Sequence, residues 1–305
     1  MNKKILTGVF PIAPVPFNED ESLDLDGMRR VLDCMVDQGV DGICILANYS
    51  EQFLLSDVER ETLLQVSLEQ IDRRVPVIVT CSHFSTGIVL NRIRAAKQAG
   101  AAMVMLMPPY HGALLRGTDN QIFDQFQQAG EIGLPIMVQD APLSGINLPV
   151  PLLARMAKEI ENVSYLKIET AATADKLRAL IAAAGEHIDG PFDGEESITL
   201  MADLDAGATG TMPSASIPDL IGPIVRAFVK GQRDKAWSEY NRILPFINFE
   251  NRQCGLRACK VLMMEGGVIR SDAVRHPLET LPIAGRKDLL ELARPLDPVV
   301  LRWGK

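Results

Sequence analysis

One type of turn recurs where the predicted helices end and the predicted strands begin. The segments 38–43, 98–103 and 205–210 share one form: a helix end, then glycine and small residues, then the start of an apolar stretch. From residue 5 to about residue 230, apolar stretches alternate with segments of helical periodicity and make eight strand–helix units. Repeated helix-to-strand turns of one type are typical of a (β/α)8 barrel, which is therefore the predicted fold within the α/β class.

The predicted strands are short and apolar along most of their length, as a parallel sheet covered by helices on both faces requires. They lie at 8–12, 42–46, 77–80, 103–107, 135–138, around Lys167, at 188–192 and at 209–212. The helices between them are expected at 25–38, 56–72, 86–98, 119–128, 151–160, 176–184 and 198–205. A doubly wound sheet is the alternative, but no G-x-G-x-x-G follows any predicted strand and no G-x-x-x-x-G-K-[ST] is present.

The last third of the chain is predicted to be helical. Candidate helices lie at 218–230, 234–244 and 253–264. We take the first as the last helix of the barrel and the others as a C-terminal helical extension. The expected organisation is therefore a barrel over residues 1–230 and an extension over residues 231–305 that packs on it.

Composition excludes several classes of function. The chain has 305 residues and a net charge of −8 with both signs interspersed, and no basic stripe predicts a nucleic-acid partner. No apolar stretch reaches membrane-spanning length. The cysteines are odd in number and lie in apolar stretches, which predicts reduced core thiols in a cytoplasmic protein. Neither H-E-x-x-H nor a Cys/His spacing predicts a metal site.

A lysine stands inside a predicted buried strand, in the segment Tyr165-Leu166-Lys167-Ile168-Glu169. Lysine is among the residues least often fully buried, and removal from water disfavours its charged form. A neutral amine attacks ketones and forms a Schiff base with them. The structural alternative is a charged Lys167 at the strand end, paired with Glu169.

Polar residues follow most of the predicted strands. In a (β/α)8 barrel the active site lies at the carboxyl ends of the strands, so we expect these residues to converge on one mouth that contains the lysine. They are Asn48, Tyr49, Ser50, Glu51, Ser82, His83, Tyr110, His111, Gln139, Asp140, Lys167, Glu169, Asp193, Glu195, Glu196 and Thr211. This convergence favours a functional role for Lys167.

Several of these residues also have a structural alternative. The structural interpretation of Glu51 is that it precedes the next helix and caps it. His83 and His111 are alternatively loop histidines whose rings hydrogen-bond to the backbone. The three acids after the seventh strand alternatively stabilise a helix N-terminus through its dipole.

Motifs in order along nearly the whole chain resemble one family. They are Pro16-Phe17, a small–polar–Glu turn at 47–51, Pro108-Pro109-Tyr110, Pro142 with Gly145, and Lys167. Together they resemble the dihydrodipicolinate synthase/N-acetylneuraminate lyase family. The resemblance implies a (β/α)8 barrel with a C-terminal helical extension, usually assembled as a homotetramer. It also implies that Lys167 forms a Schiff base with a small 2-oxo acid and that the enzyme needs no other cofactor.

The chain departs from the family pattern at two places that matter for the reaction. The family's Gly-Thr-Thr-Gly-Glu turn is here Ala47-Asn48-Tyr49-Ser50-Glu51, so the resemblance assigns carboxylate binding to Asn48, Tyr49 and Ser50. The tyrosine that relays protons in the family's synthases and aldolases is replaced by Gln139, and the synthase arginine is missing after Pro142. Dihydrodipicolinate synthesis is therefore not expected.

The glutamine favours dehydration over aldol cleavage. A 2-keto-3-deoxy sugar acid carries its ketone at C2 and a hydroxyl at C4, and a Schiff base at C2 acidifies C3. Loss of the C3 proton gives an enamine that expels the C4 hydroxyl, whereas cleavage of C3–C4 needs a base for the proton of that hydroxyl. A glutamine amide does not accept and return a proton near neutral pH.

The predicted roles follow from this chemistry. Lys167 is the nucleophile, and Glu169 or Tyr110 moves the C3 proton or protonates the leaving hydroxyl. Gln139 positions the substrate, which is a 2-oxo sugar acid. Further substrate contacts are expected from His83, Asp193 and Thr211.

Three alternatives remain open at this stage. The first is an aldolase that cleaves a 2-keto-3-deoxy acid to pyruvate and an aldehyde on the same scaffold. The second is a non-catalytic 2-oxo acid binding protein. The third is an oxidoreductase built on a doubly wound sheet, which the missing dinucleotide loop disfavours.

Overall fold

The computed structural model describes residues 5–109, 117–141 and 145–305. The predictions for Tyr110, His111 and Pro142 lie outside these residues. Within the described ranges the chain forms eight strands: β1 Gly8–Val9, β2 Ile43–Ile45, β3 Val77–Thr80, β4 Met103–Leu106, β5 Ile136–Asp140, β6 Val163–Ile168, β7 Gly190–Asp193 and β8 Gly210–Thr211.

The helices alternate with these strands and then continue alone. They are α1 Leu25–Asp37, α2 Asp57–Ile71, α3 Thr86–Ala99, α4 Asp119–Gly130, α5 Val150–Glu159, α6 Thr173–Ala184, α7 Leu200–Asp205, α8 Pro218–Val229, α9 Arg233–Phe249, α10 Arg257–Glu265 and α11 Ile283–Ala293. The predicted order of strands and helices is confirmed.

Local sequence explains where helices begin and end. The predicted capping box at the start of α2 is present: the Ser56 hydroxyl accepts from the Glu59 N–H, and the Ser56 N–H donates to Glu59 Oε2 over 2.8 Å. The recurring glycines of the helix-to-strand turns adopt positive φ, +73° at Gly39, +92° at Gly100 and +102° at Gly207. This conformation strains other residues, so the glycine is what allows each helix to turn into the next strand.

One predicted helix is wrong at its start. Residues 253–264 were expected to form a single helix, but Glu250–Cys254 form a π-helical turn that continues α9, and α10 begins at Arg257. Gly255, with φ +61°, separates the two. A π-helical turn inside a helical region often marks a functional position.

Contacts group the chain into two compact units. The first, here called the lysine unit, comprises Met1–Gly8 and Val77–Met212 as far as these residues are described. Within it, β3 to β8 lie side by side in chain order and run parallel. The register places Lys167 opposite Gln139 on one side and Phe192 on the other. Every residue of β3 to β8 is buried.

The second unit, here called the terminal unit, comprises Val9–Pro76 and Pro213–Lys305. In it, Ile12 forms parallel bridges to Cys44 and to Ser214. The helix α1 packs against α2, α8 packs against α9, and α10 packs against α11. The predicted division of the chain at residue 230 stays a prediction.

The cysteines are buried and free, as the sequence predicted. Burial raises the pKa of the Cys34 thiol to about 12 and that of Cys254 to about 11, so both are protonated thiols at neutral pH. In the part of the chain that the structure describes, no helix is long and apolar enough to cross a membrane.

Candidate active site

Lys167 is buried in β6 and contacts Glu169. The lysine is 1% exposed, and its Nζ forms an ion pair with Glu169 Oε1. The burial of Lys167 and its carboxylate partner agree with features of both interpretations, and its role as the nucleophile stays a prediction. Residues two apart in a strand share a face, which is why Glu169 reaches the amine although Ile168 lies between them.

Gln139, in the neighbouring strand β5, contacts the carboxylate of this pair. Its Nε2 donates to Glu169 Oε1 over 2.8 Å, so the same carboxylate oxygen contacts both Lys167 and Gln139. The other amide atom, Gln139 Oε1, is buried and has no hydrogen-bond partner among the described residues. An unpaired buried acceptor costs about 1–3 kcal/mol, so a substrate hydroxyl that donated to it would relieve that cost.

The predicted site residues Asp193 and Thr211 contact each other. Thr211 Oγ1 donates to Asp193 Oδ2 over 2.6 Å, and Asp193 also accepts the backbone N–H groups of Glu195 at 2.9 Å and Ser197 at 3.1 Å. Burial raises the pKa of the Asp193 carboxyl, and the Thr211 hydrogen bond and the positive charge of Lys167 act in the opposite direction. Asp193 thus shapes the segment after β7, and its predicted contact with substrate stays a prediction.

His83 lies in the segment that follows β3 and has a local partner. Its Nδ1 accepts the backbone N–H of Ser85 over 3.0 Å, and its ring stacks on Phe84 with centroids 4.1 Å apart. This is the backbone-bonded loop histidine that the sequence offered as the alternative. The predicted contact of His83 with substrate stays a prediction.

The predicted carboxylate-binding residues Asn48, Tyr49 and Ser50 belong to the terminal unit. They form a short 3-10 turn after β2. The Ser50 hydroxyl donates to the Ala13 carbonyl over 2.6 Å and accepts the Ala47 N–H, so its proton is bound to the backbone of Ala13, outside the turn. Asn48 Oδ1 accepts from Gln52 over 2.7 Å. The role of these residues in carboxylate binding stays a prediction.

Sequence reasoning missed a second fully buried lysine, Lys260, in the terminal unit. It lies in α10, is 0% exposed and pairs with the buried carboxylate of Glu51. The signal that identified Lys167, a lysine within an apolar stretch, is also present in Ala258-Cys259-Lys260-Val261-Leu262. We did not expect it because a helix places every third or fourth residue on the same face, so one lysine among apolar residues normally points outward.

Comparison with known proteins connects this geometry to a family. A model of the dihydrodipicolinate synthetase family matches residues 5–294. The L-2-keto-3-deoxyarabonate dehydratase of Azospirillum brasilense is 53% identical over 297 residues, which cover 97% of this chain and 96% of that protein. A 4-hydroxy-tetrahydrodipicolinate synthase of Methanothrix thermoacetophila is 27% identical and covers 79% of this chain and 80% of its own.

Solved structures show the same fold. A Pseudomonas aeruginosa protein assigned as a dihydrodipicolinate synthetase has a TM-score of 0.89 at 28% identity and covers 95% of this chain and 99% of its own. The dihydrodipicolinate synthase of Rhodopseudomonas palustris has a TM-score of 0.86 at 28% identity, with 94% and 97% covered. The predicted (β/α)8 barrel with C-terminal helices is confirmed. With its buried strand lysine and a family model that matches nearly its full length, the chain belongs to the dihydrodipicolinate synthetase family.

Proposed function

We propose that this protein is a Schiff-base-forming hydro-lyase that removes water from a 2-keto-3-deoxy sugar acid. The substrate is L-2-keto-3-deoxyarabonate and the product is 2-oxoglutarate semialdehyde. The observation that carries the proposal is the contact of the buried Lys167 with Glu169, whose second partner is an amide, that of Gln139. The 53% identity to the dehydratase of Azospirillum brasilense supports the choice of substrate.

The reaction begins with attack of Lys167 Nζ on C2. The carbonyl oxygen leaves as water, and a protonated Schiff base forms. Glu169, which contacts the amine, takes a proton from C3. The resulting enamine expels the C4 hydroxyl, which leaves as water with a proton supplied by Glu169 or Tyr110. Proton shifts along the conjugated chain convert the C5 alcohol to an aldehyde, and hydrolysis of the Schiff base restores the free lysine. The net change is the loss of one water from the substrate.

Gln139 selects the branch after the Schiff base. Its amide holds Glu169 in place and offers Oε1 to a substrate hydroxyl, but it does not remove the proton of that hydroxyl. Without that base, cleavage of C3–C4 is slow and elimination is favoured. Tyr110, which lies outside the described residues, is the other candidate for protonating the leaving group.

The remaining assignments are part of the same proposal. Asn48, Tyr49 and Ser50 bind the substrate carboxylate, and His83, Asp193 and Thr211 contribute further polar contacts. We also propose a cytoplasmic homotetramer that uses no metal and no cofactor besides the lysine adduct. Light scattering tests the homotetramer, and activity after treatment with a chelator tests the absence of a metal requirement.

The experiment that tests the function is borohydride reduction in the presence of L-2-keto-3-deoxyarabonate, followed by intact-protein and peptide mass spectrometry. We expect an adduct on Lys167 that retains all five substrate carbons and lacks one water. The variant K167A should give no adduct and no turnover, while substitution of the exposed Lys235 by alanine should leave both unchanged. An adduct with the mass of bound pyruvate would identify an aldolase, and absence of any adduct would overturn the proposal.

A further inference from the structure

The turn Asn48–Glu51 ends on a carboxylate that is completely enclosed. Glu51 adopts a left-handed conformation with φ +55°, which is uncommon for a residue other than glycine. Its side chain is 0% exposed, so its charge must be compensated by neighbouring groups. The turn therefore keeps its shape only while the partners of this carboxylate are in place.

Lys260 supplies the principal compensation. Its Nζ pairs with Glu51 Oε1, donates to the Ala273 carbonyl over 2.8 Å and lies 4.4 Å from the centroid of the Phe17 ring. These groups surround the ammonium with a carboxylate, a carbonyl and an aromatic face, which is the environment that a buried cation requires. Because α10 carries Lys260, the helix fixes the position of the carboxylate.

Arg275 holds the other oxygen of the same carboxylate. Its backbone N–H donates to Glu51 Oε2 over 3.0 Å, and its guanidinium lies 4.6 Å from the Phe17 ring centroid on which Lys260 also rests. The guanidinium in turn donates to Leu54 O over 2.7 Å and to Glu59 at the start of α2. Both oxygens of Glu51 are thus fixed, and so is the backbone on its C-terminal side.

The π-helical turn fixes the same segment at a second point. The Tyr49 hydroxyl donates to Asn251 Oδ1 over 3.2 Å, and Asn251 Nδ2 donates to Ile247 O over 2.9 Å. Asn251 therefore contacts the middle of the turn, at Tyr49, and Lys260 contacts its end, at Glu51.

We infer that Lys260 is a positioning residue for recognition of the substrate carboxylate: it holds Glu51 so that the Asn48–Ser50 turn presents its polar groups in one fixed orientation. Asn251 assists by fixing the Tyr49 hydroxyl. This inference rests on the proposed function, because it gives the turn the task of binding the carboxylate. It assigns a specificity role to the C-terminal helices, which carry neither the Schiff-base lysine nor its carboxylate.

The test compares two ketones that differ in charge. Pyruvate carries the carboxylate and ketone that begin every 2-oxo acid, and pyruvamide replaces the carboxylate by a neutral amide of similar size. For each, the fraction of protein reduced by borohydride at Lys167 is measured against concentration, which gives a half-saturating concentration. A fault in folding lowers adduct formation with both compounds, whereas misplacement of the turn affects pyruvate selectively.

Two variants keep the test informative. K260M removes the cation but leaves the Glu51 charge buried and unpaired, so the double variant E51Q/K260M, which removes both charges, is examined beside it. In the double variant the glutamine oxygen is still able to accept the Arg275 N–H. The exposed Lys235 provides the matched control K235M.

We expect the double variant to raise the half-saturating concentration of pyruvate at least tenfold while that of pyruvamide changes less than twofold, and N251A to act in the same direction with a smaller change. K235M should match the wild type with both compounds. An unchanged ratio between pyruvate and pyruvamide in a folded double variant would overturn the inference. Failure of the wild type to form an adduct at Lys167 would instead overturn the proposed function, so the two failures are distinguishable.

Discussion

The side-chain amide of Gln139 donates a hydrogen bond over 2.8 Å to Glu169 Oε1, the oxygen that also contacts Lys167 Nζ. Gln139 lies in β5 and Glu169 directly follows the neighbouring β6, and the register that sets Gln139 opposite Lys167 brings the amide to the carboxylate. Glu169 thus has two donors that restrict its orientation. A base held in one orientation beside the reacting carbon transfers a proton faster than one that rotates freely.

The first prediction concerns this hydrogen bond. In Q139L the side chain keeps a similar volume but no longer donates to Glu169. A hydrogen bond to a charged group contributes about 1.5–3 kcal/mol, so kcat for dehydration should fall roughly 10- to 100-fold. Steady-state kinetics measure the effect, with substitution of the exposed Gln128 by leucine as the control. A kcat equal to that of the wild type would show that Gln139 does not orient the base.

The second prediction concerns the choice between elimination and cleavage. Q139Y introduces a phenol that is able to accept and return the proton of the C4 hydroxyl, which the amide does not do. We expect this variant to release pyruvate from the 2-keto-3-deoxy sugar acid, detected by coupled oxidation of a nicotinamide cofactor, while dehydration declines. Products identical to those of the wild type would contradict a role for position 139 in setting the branch.

The third prediction concerns a close approach between strands. Gly194 follows β7, and its N–H donates to Ile168 O over 2.9 Å. A Cβ atom at this position would lie closest to Glu169 Cγ and 2.9 Å from both Lys167 Cγ and Ile168 O, closer than such atoms approach in proteins. G194A should therefore displace the side chains of Glu169 and Lys167 and lower kcat at least about 100-fold, because small displacements at a reacting centre cost about that much.

The control for this prediction is a glycine in the same unit with open space around it. A Cβ at Gly87 would lie 4.0 Å from its nearest neighbour, Ser85 Oγ. G87A should retain wild-type kinetics. Circular dichroism checks that G194A is folded, and a folded G194A with wild-type turnover would show that the site tolerates a shift of Lys167.

How far the sequence predicts this structure depends on the range of the interaction. Lys167 was placed correctly because the strand signal and the lysine lie within the same six residues. Similarly, the glycine at 100 ends α3 through its own backbone conformation, a purely local property. The pair of Lys260 and Glu51 is separated by 209 residues, and periodicity carries no information about which buried charges meet.

Two further residues illustrate the same limit. Glu250 lies between two predicted helices in the sequence, and its enclosure by Ser214 and Ser216 becomes visible only in three dimensions. His83 was a candidate for substrate binding, and its bond to Ser85 is the local alternative. A residue type and its neighbours in sequence define what a side chain is able to do, but the fold decides which of these possibilities is used.

The last prediction concerns Glu250 and the dependence of stability on pH. Burial raises the pKa of this carboxyl to about 7 from an ordinary value of 4.5, and the hydroxyls of Ser216 and Ser214 offset part of the shift. Between pH 4.5 and pH 7 the folded protein therefore holds a proton that the unfolded chain has released. The contribution of Glu250 to the free energy of unfolding therefore falls as the pH rises through this interval, and little of it is left above pH 7.

The size of this loss follows from the shift. At 1.36 kcal/mol for each pKa unit, Glu250 should lower the free energy of unfolding by about 3 kcal/mol between pH 4.5 and pH 8. In E250Q the side chain does not titrate, and its amide oxygen is still able to accept from both serines. Denaturant unfolding at pH 5 and pH 8 should show a smaller difference for E250Q than for the wild type, whatever its absolute stability. Substitution of the exposed Glu69 by glutamine should leave the difference unchanged, and an equal difference in E250Q would contradict a protonated Glu250 in the folded protein below pH 7.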